Sequence, residues 1–266
     1  MADTGQTRKE QRTAARAERA RAEAARARQR RRLWQLGGAL GLAAVVVVAL
    51  VLAFGSGGDD GKQSLKAGET LPGQFEANAR FGPLEQNGIT IGDPKAPYTF
   101  VEFADLQCPF CRDYSVNVMP TLVANYVRTG KMKMVFRNVA FIGEDSTTAA
   151  QMAGAAARQD KLWEFVDIFY ENQGEENTGY VTDEFLRKIG NAVKGLDVDK
   201  AMDERGLPAV TKQLNEAATE WQSSGFTGTP SFLFGPSDGE LKPLTAETLD
   251  PEAFTSQIDK VLQQGS

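Results

Sequence analysis

Histidine is absent from the 266 residues, and cysteine occurs only twice, at Cys108 and Cys111. The chain therefore has no imidazole for acid–base work or metal ligation. A zinc site normally takes four Cys or His ligands, so two thiols would need carboxylates or a second copy of the chain to complete one. Past Met1, no large apolar residue occurs before Leu33, which denies that arm a core of its own. Charge is missing from residues 33–54. No internal repeat is visible.

What the first 32 residues do contain is Ala, Arg and Gln, with eleven Lys or Arg against four Asp or Glu. That gives the arm a net charge of about +7 in a chain of −5 overall, leaving about −12 for the remainder. The arm reads as a solvated topology signal; a nucleic-acid or anionic-lipid contact is the sharper alternative, and basic charge alone does not separate them. No nucleic-acid partner is expected. The uncharged run LWQLGGALGLAAVVVVALVLAF follows. As a helix it would rise about 33 Å, enough for a bilayer core of about 30 Å. A cleaved signal peptide has a shorter apolar stretch and a shorter basic leader, so the run reads as an uncleaved single-pass anchor, with cleavage near Gly55 as the alternative. Arg30, Arg31 and Arg32 abut one end only. The positive-inside rule then puts the N-terminus in the cytoplasm and everything beyond Phe54 outside it.

Residues 55–80 open with GSGGDDGK and read as a flexible linker. From residue 81 the composition is globular and suits one domain reaching residue 266. GITIG at 88–92 and YTFVEFA at 98–104 read as strands, and residues 108–129 as a helix kinked at Pro120. KMKMVFRNV at 131–139 is a further strand. A helical block spans residues 144–224, including Leu162, Phe165, Val166 and Phe169 on one face and a helix capped by Thr182. Strands at 231–235 and 239–245 and a helix opened by Asp250 and Pro251 close the chain. Strand–helix–strand implies a parallel pair and the closing hairpin an antiparallel one. The expected architecture is an α/β mixed sheet with helices on its faces.

Two cysteines two residues apart close too small a loop for a disulfide to gain much by restricting the unfolded chain. A redox couple explains more of the surrounding residues. Cys108 falls at the start of a helix, where unpaired amides and the macrodipole favour a thiolate, and Pro109 suits the first helical position. Cys111, one turn on, faces inward and can resolve a mixed disulfide at Cys108. Phe110 brings neither charge nor a donor, and Arg112 either adds positive potential or is plain surface.

Glu102 interrupts an otherwise apolar strand. A carboxyl buried there without a partner tends to keep its proton near neutral pH, and it is well placed to exchange that proton with Cys111. The alternative is a solvated face. Pro230, after Gly228 and Thr229 and just before a strand, is either a cis turn proline or an ordinary strand-entry proline.

TFVEFADLQCPFCRDYS, a helical insertion and then GTPSFLF, in that order, resemble the DsbA-like branch of the thioredoxin superfamily from residue 87 to residue 262. The resemblance implies a thioredoxin-like mixed central sheet with an inserted helical domain, which here follows the single transmembrane helix read from residues 33–54. It implies that Cys108 is the exposed nucleophile, Cys111 the resolving thiol and Glu102 the carboxylate beneath them. It also implies that Pro230 is cis and that Thr229, Pro230, Pro109 and Phe110 border the substrate peptide. Neither metal nor cofactor is called for. The family's best-known oxidants carry histidine where Phe110 stands, and threonine before the cis-proline also occurs among isomerases. The implied activity is thiol–disulfide exchange on reduced client proteins outside the cytoplasm, most simply as an oxidase recharged by a quinone-linked membrane partner of the DsbB or VKOR type. The alternatives are a reductase or isomerase of the same fold, and a non-catalytic thioredoxin-like binding module.

Overall fold

The computed structural model describes residues 70–264. The basic arm, the proposed anchor at 33–54 and the linker up to residue 69 lie outside the described residues. Among the described residues no helix is long and apolar enough to cross a membrane.

A six-stranded sheet runs in the order β1-β2-β4-β3-β5-β6, where β1 is Gln86–Asn87, β2 Thr90–Ile91, β3 Tyr98–Ala104, β4 Met132–Asn138, β5 Ser231–Pro236 and β6 Lys242–Pro243. Only β3 and β4 pair in parallel; every other neighbour is antiparallel. β3 lies in the middle because YTFVEFA is apolar on both faces, as a strand covered on both sides must be. Its residues alternate between two clusters. Phe100 and Ala104 face the larger core, whereas Val101 and Phe103 pack with Val139 and Leu233 on the opposite side. Glu102, two residues from both Phe100 and Ala104, shares their face.

Helix α1 is Gln74–Phe81, α2 Pro109–Asn117 and α3 Met119–Leu122, followed by a π-helical turn at Val123–Val127. The break between α2 and α3 falls where Pro120 cannot donate an amide. α4 (Glu144–Ala157), α5 (Leu162–Glu171), α6 (Asp183–Ala192), α7 (Val198–Glu204) and α8 (Pro208–Ser223) form the helical block between β4 and β5. α9, Pro251–Gln264, closes the chain. The Thr182 hydroxyl caps α6 by accepting from the Phe185 amide at 3.1 Å. In the main core Tyr114 of α2 packs on Phe232 of β5 and Phe254 of α9, with ring centroids 4.7 and 5.3 Å apart.

Three expectations are corrected. The linker does not run to residue 80: Gln74–Phe81 is helical, and Ala77 and Phe81 are buried, Phe81 packing against Trp163 of α5 at 6.0 Å. Residues 88–92 are not one strand but part of a hairpin, because Gly88 turns the chain at φ 59° between β1 and β2. Of residues 239–245 only Lys242 and Pro243 pair as strand, since Pro243 has no amide to extend a ladder.

Candidate active site

The strand that carries Glu102 ends at Ala104, and the loop Asp105-Leu106-Gln107 delivers the chain into α2. This loop is pinned by the Asp105 carboxylate, which is fully buried. Its Oδ1 accepts from the Gln107 amide at 2.8 Å and from Ser146 Oγ at 2.6 Å. Its Oδ2 accepts from the Phe141 and Ile142 amides at 3.0 and 3.1 Å. The first of these bonds is an Asx turn, the local geometry in which aspartate replaces a backbone partner.

Cys108 occupies the N-cap of α2 in an extended conformation (φ −68°, ψ 121°), and Pro109 takes the first helical position. The amides of Phe110 and Cys111 therefore point at the Cys108 sulfur, as the free N–H groups of a first turn do. With the Cys111 thiol as the largest influence, then the Thr229 side chain and these two amides, the Cys108 thiol is lowered to about 6 in spite of its burial. Burial first, and then the neighbouring Cys108, push Cys111 well above the usual thiol range. Both cysteines are in the free thiol form. The pair is thus split, one sulfur poised as thiolate and the other holding its proton.

Cys108 was expected to be exposed. Instead it is 5 % exposed and Cys111 fully buried, because the Thr229 turn covers the first sulfur: Cys108 Sγ donates to the Thr229 carbonyl at 3.3 Å. The Thr229 hydroxyl has no other partner and lies near enough to both sulfurs to favour their thiolates. The Thr229–Pro230 peptide bond is cis. Pro109 and Phe110 stand exposed at the helix tip, Phe110 at 62 %. Arg112 is turned toward the helical block, its Nε donating to the Tyr170 carbonyl at 3.0 Å.

Glu102 is buried, and neither carboxylate oxygen has a hydrogen-bond partner. It is flanked across the sheet by Phe136 and Phe232. Burial, with a smaller push from the Asp167 charge, raises its carboxyl to about 8, so at neutral pH it holds a proton.

The structure also brings in residues that the sequence reading passed over. The end of α5 and the loop after it grip the segment before and within α2. Tyr170 Oη donates to the Asp105 carbonyl at 3.1 Å, and Gln173 Nε2 donates to the carbonyls of Leu106 at 2.8 Å and Cys108 at 3.1 Å. The Asn177 amide donates to Gln107 Oε1 at 2.7 Å, and Asp167 accepts from Ser115 Oγ at 3.2 Å. Among the described residues no cluster of three or more Cys, Asp or Glu could hold a metal ion.

A dithiol split by a helix terminus, facing a threonine–cis-proline turn on a mixed sheet, defines the class: thiol–disulfide oxidoreductases of thioredoxin-like fold. The chain belongs to the thioredoxin family, whose model matches residues 84–260. It is similar to the probable disulfide bond formation protein D of Bacillus cereus, 31% identical over 145 residues that cover 53% of this chain and 67% of that protein. Disulfide bond formation protein D of Bacillus subtilis is 24% identical over 143 residues, 53% of this chain and 64% of its own. Among solved structures, oxidised BdbD from Bacillus subtilis superposes with a TM-score of 0.58 at 21% identity, over 66% of this chain and 94% of that one. A thioredoxin-like oxidoreductase from Silicibacter pomeroyi gives 0.52 at 25% identity, over 70% and 97%. The chain is a thiol–disulfide oxidoreductase of the DsbA-like kind.

Proposed function

We propose that the chain is a membrane-anchored, extracytoplasmic oxidase that passes its Cys108–Cys111 disulfide to reduced secreted or cell-envelope proteins. The observation that carries this direction is the split of the two thiols. A Cys108 thiol lowered from 9.0 to about 6 stabilises the reduced form by about 1.4 kcal/mol at pH 7, which for a two-electron couple makes it a stronger oxidant by roughly 30 mV.

In the oxidase direction a client thiolate attacks Cys108 Sγ of the disulfide. Cys111 leaves as a thiolate, and because burial disfavours its charge it takes the proton that Glu102 holds. A second client thiolate then attacks the client sulfur of the mixed disulfide. Cys108 is released as the stabilised thiolate. The client has lost two electrons and the couple has gained them. Thr229 and Pro230, with the exposed Pro109 and Phe110, border the client chain. To restart the cycle, Glu102 recovers its proton from Cys111 as the pair passes two electrons to a membrane reoxidase linked to quinone, of the DsbB or VKOR type. Residues 33–54 would hold the domain beside such a partner, with the arm at 1–32 in the cytoplasm.

The test is the equilibrium reduction potential of the domain against a glutathione buffer, together with refolding of a reduced, scrambled-prone client. An oxidising potential near that of the DsbA class and rapid disulfide formation are expected. A potential near that of thioredoxin, with insulin reduction as the dominant activity, would reverse the direction and make the chain a reductase.

A further inference from the structure

Three backbone carbonyls between Asp105 and Cys108 are served by two residues at the end of α5. Tyr170 Oη donates to the Asp105 carbonyl at 3.1 Å. The Gln173 carboxamide uses both of its N–H groups, donating to the Leu106 carbonyl at 2.8 Å and to the Cys108 carbonyl at 3.1 Å. Gln173 is itself held: its backbone amide donates to the Tyr170 carbonyl at 3.3 Å, which also accepts from Arg112 Nε at 3.0 Å. The chain then turns hard against Tyr180, where a Cβ on Gly174 would stand 2.7 Å from the ring. Gln173 therefore has little freedom to leave the cysteine segment, and the exchange steps described above make no use of it.

The bond to Cys108 fixes the cap of the helix. Cys108 is an extended N-cap (φ −68°, ψ 121°), and its ψ sets both where its carbonyl points and where the first free amides of α2 stand relative to its sulfur. Another partner of that carbonyl is the Arg112 amide at 3.1 Å, a bond that belongs to the first turn of any helix. Gln173 comes from outside the helix, so it ties the cap to the helical block. We propose that Gln173 is a positioning residue of the redox reaction: by pinning the Leu106 and Cys108 carbonyls it aims the Phe110 and Cys111 amides at Cys108 Sγ, and so sets how strongly the reduced couple is favoured. The inference rests on Cys108 being the reacting thiol, as proposed above.

Gln173 carries no charge, so exchanging it for another neutral residue adds and removes none. The groups that bear on the Cys108 sulfur stay in place: Cys111 from the same helix, Thr229 from the facing turn, and Tyr170 from α5, which burial keeps protonated. Arg112 remains on the Tyr170 carbonyl. A change in the thiol after substitution at residue 173 then reports the aim of the amides and not a lost or added charge.

The experiment uses the full-length chain and the variants Gln173→Met and Gln173→Ala, neither of which has a side-chain donor; the smaller alanine guards against a methionine that packs poorly. The Cys108 midpoint, followed by thiolate absorbance and by alkylation rate, is expected to rise by about half a pH unit, which makes the thiol a roughly threefold weaker acid. The equilibrium potential against glutathione should become about 14 mV more reducing, the same threefold for a two-electron couple. Gln159→Met is the control. It removes the same kind of donor, to the Asp197 carbonyl at 3.0 Å, from a contact that joins the end of α4 to the start of α7, and should lower stability while leaving the Cys108 midpoint where it is. An unmoved midpoint in both Gln173 variants overturns the inference, and so does an equal shift in Gln159→Met, because any loosening of the block would then suffice. A titration that persists in Cys108→Ala overturns the assignment of Cys108 itself, and the inference with it.

Discussion

Glu102→Gln keeps the shape of the side chain and deletes its one titration, so its effect on stability can be worked out in sign and size. The carboxyl ordinarily titrates at 4.5, and in the fold at about 8. Between those values the folded protein holds a proton that the unfolded chain has lost. Stability must therefore fall as pH rises through the interval, by up to about 1.4 kcal/mol per pH unit. By pH 7 the wild type has given up about 3 kcal/mol, and above pH 8 about 5 kcal/mol. Both are ceilings, since an ionised Glu102 recovers part of the cost by drawing in water or by local rearrangement.

The glutamine variant carries no such penalty. Its stability advantage is expected to be near zero at pH 4.5, to climb across the interval and to level off above about 8. Urea midpoints of the two reduced proteins, taken at several pH values, measure the difference directly. Taking the difference matters because Cys108 acts in the opposite sense. Its thiol is lowered from 9.0 to about 6, so it adds stability as pH rises through that range, equally in both proteins. A pH-independent difference, or a variant less stable at pH 8, would refute the buried, protonated Glu102.

Three further outcomes are expected. Cys111→Ala should accumulate mixed disulfides between Cys108 and client proteins on non-reducing gels, while Cys108→Ala should accumulate few, because Cys111 is fully buried; equal trapping would reassign the roles. A fragment starting at residue 82 should be less stable than one starting at residue 70 by about 3 kcal/mol or more, since it loses the buried Phe81 and the Arg80 that pairs with Asp167; equal denaturation midpoints would show that α1 contributes nothing. Protease added to intact spheroplasts should digest the Cys108 domain and spare the Arg-rich arm, as the one-sided arginine cluster requires; a protected domain would place the couple in the cytoplasm and sink the oxidase reading.

What could be read from the sequence follows from how local each signal is. β3 is found at the residues expected because its pattern needs no partner to be recognised: five apolar side chains surround one acid and one threonine. For the same reason Glu102 stood out as a charge where a central strand should have none. The start of α2 was legible from Pro109, and the break before α3 from Pro120. α1 was not legible. QFEANARF looks polar, and only Ala77 and Phe81 are buried, Phe81 by packing on Trp163 of α5, more than eighty residues away. Asp167 was hidden in the opposite way. The apolar stripe of α5 carries no sign of what its acids do, yet both Glu164 and Asp167 are buried. Their partners, Lys161 with Gln86 for the one and Arg80 with Ser115 for the other, come largely from distant segments.

That same distance explains why the helical block is part of the site and not an appendage to it. A thioredoxin-like sheet presents the cysteine loop at the end of its central strand, where backbone carbonyls and a buried aspartate would otherwise face no donors, at a cost of about 1–3 kcal/mol each. The insertion supplies them. Ser146 and the amides just before α4 satisfy Asp105, Tyr170 and Gln173 satisfy the carbonyls of Asp105, Leu106 and Cys108, and Asp167 engages Ser115 behind Cys111. Each bond fixes a group within a few residues of a sulfur, so the orientation of the amides that favour the Cys108 thiolate depends on α5 staying in place. A change in how α5 packs, at Arg80–Asp167 or at Phe81–Trp163, would therefore be felt as a change in thiol chemistry before it was felt as unfolding.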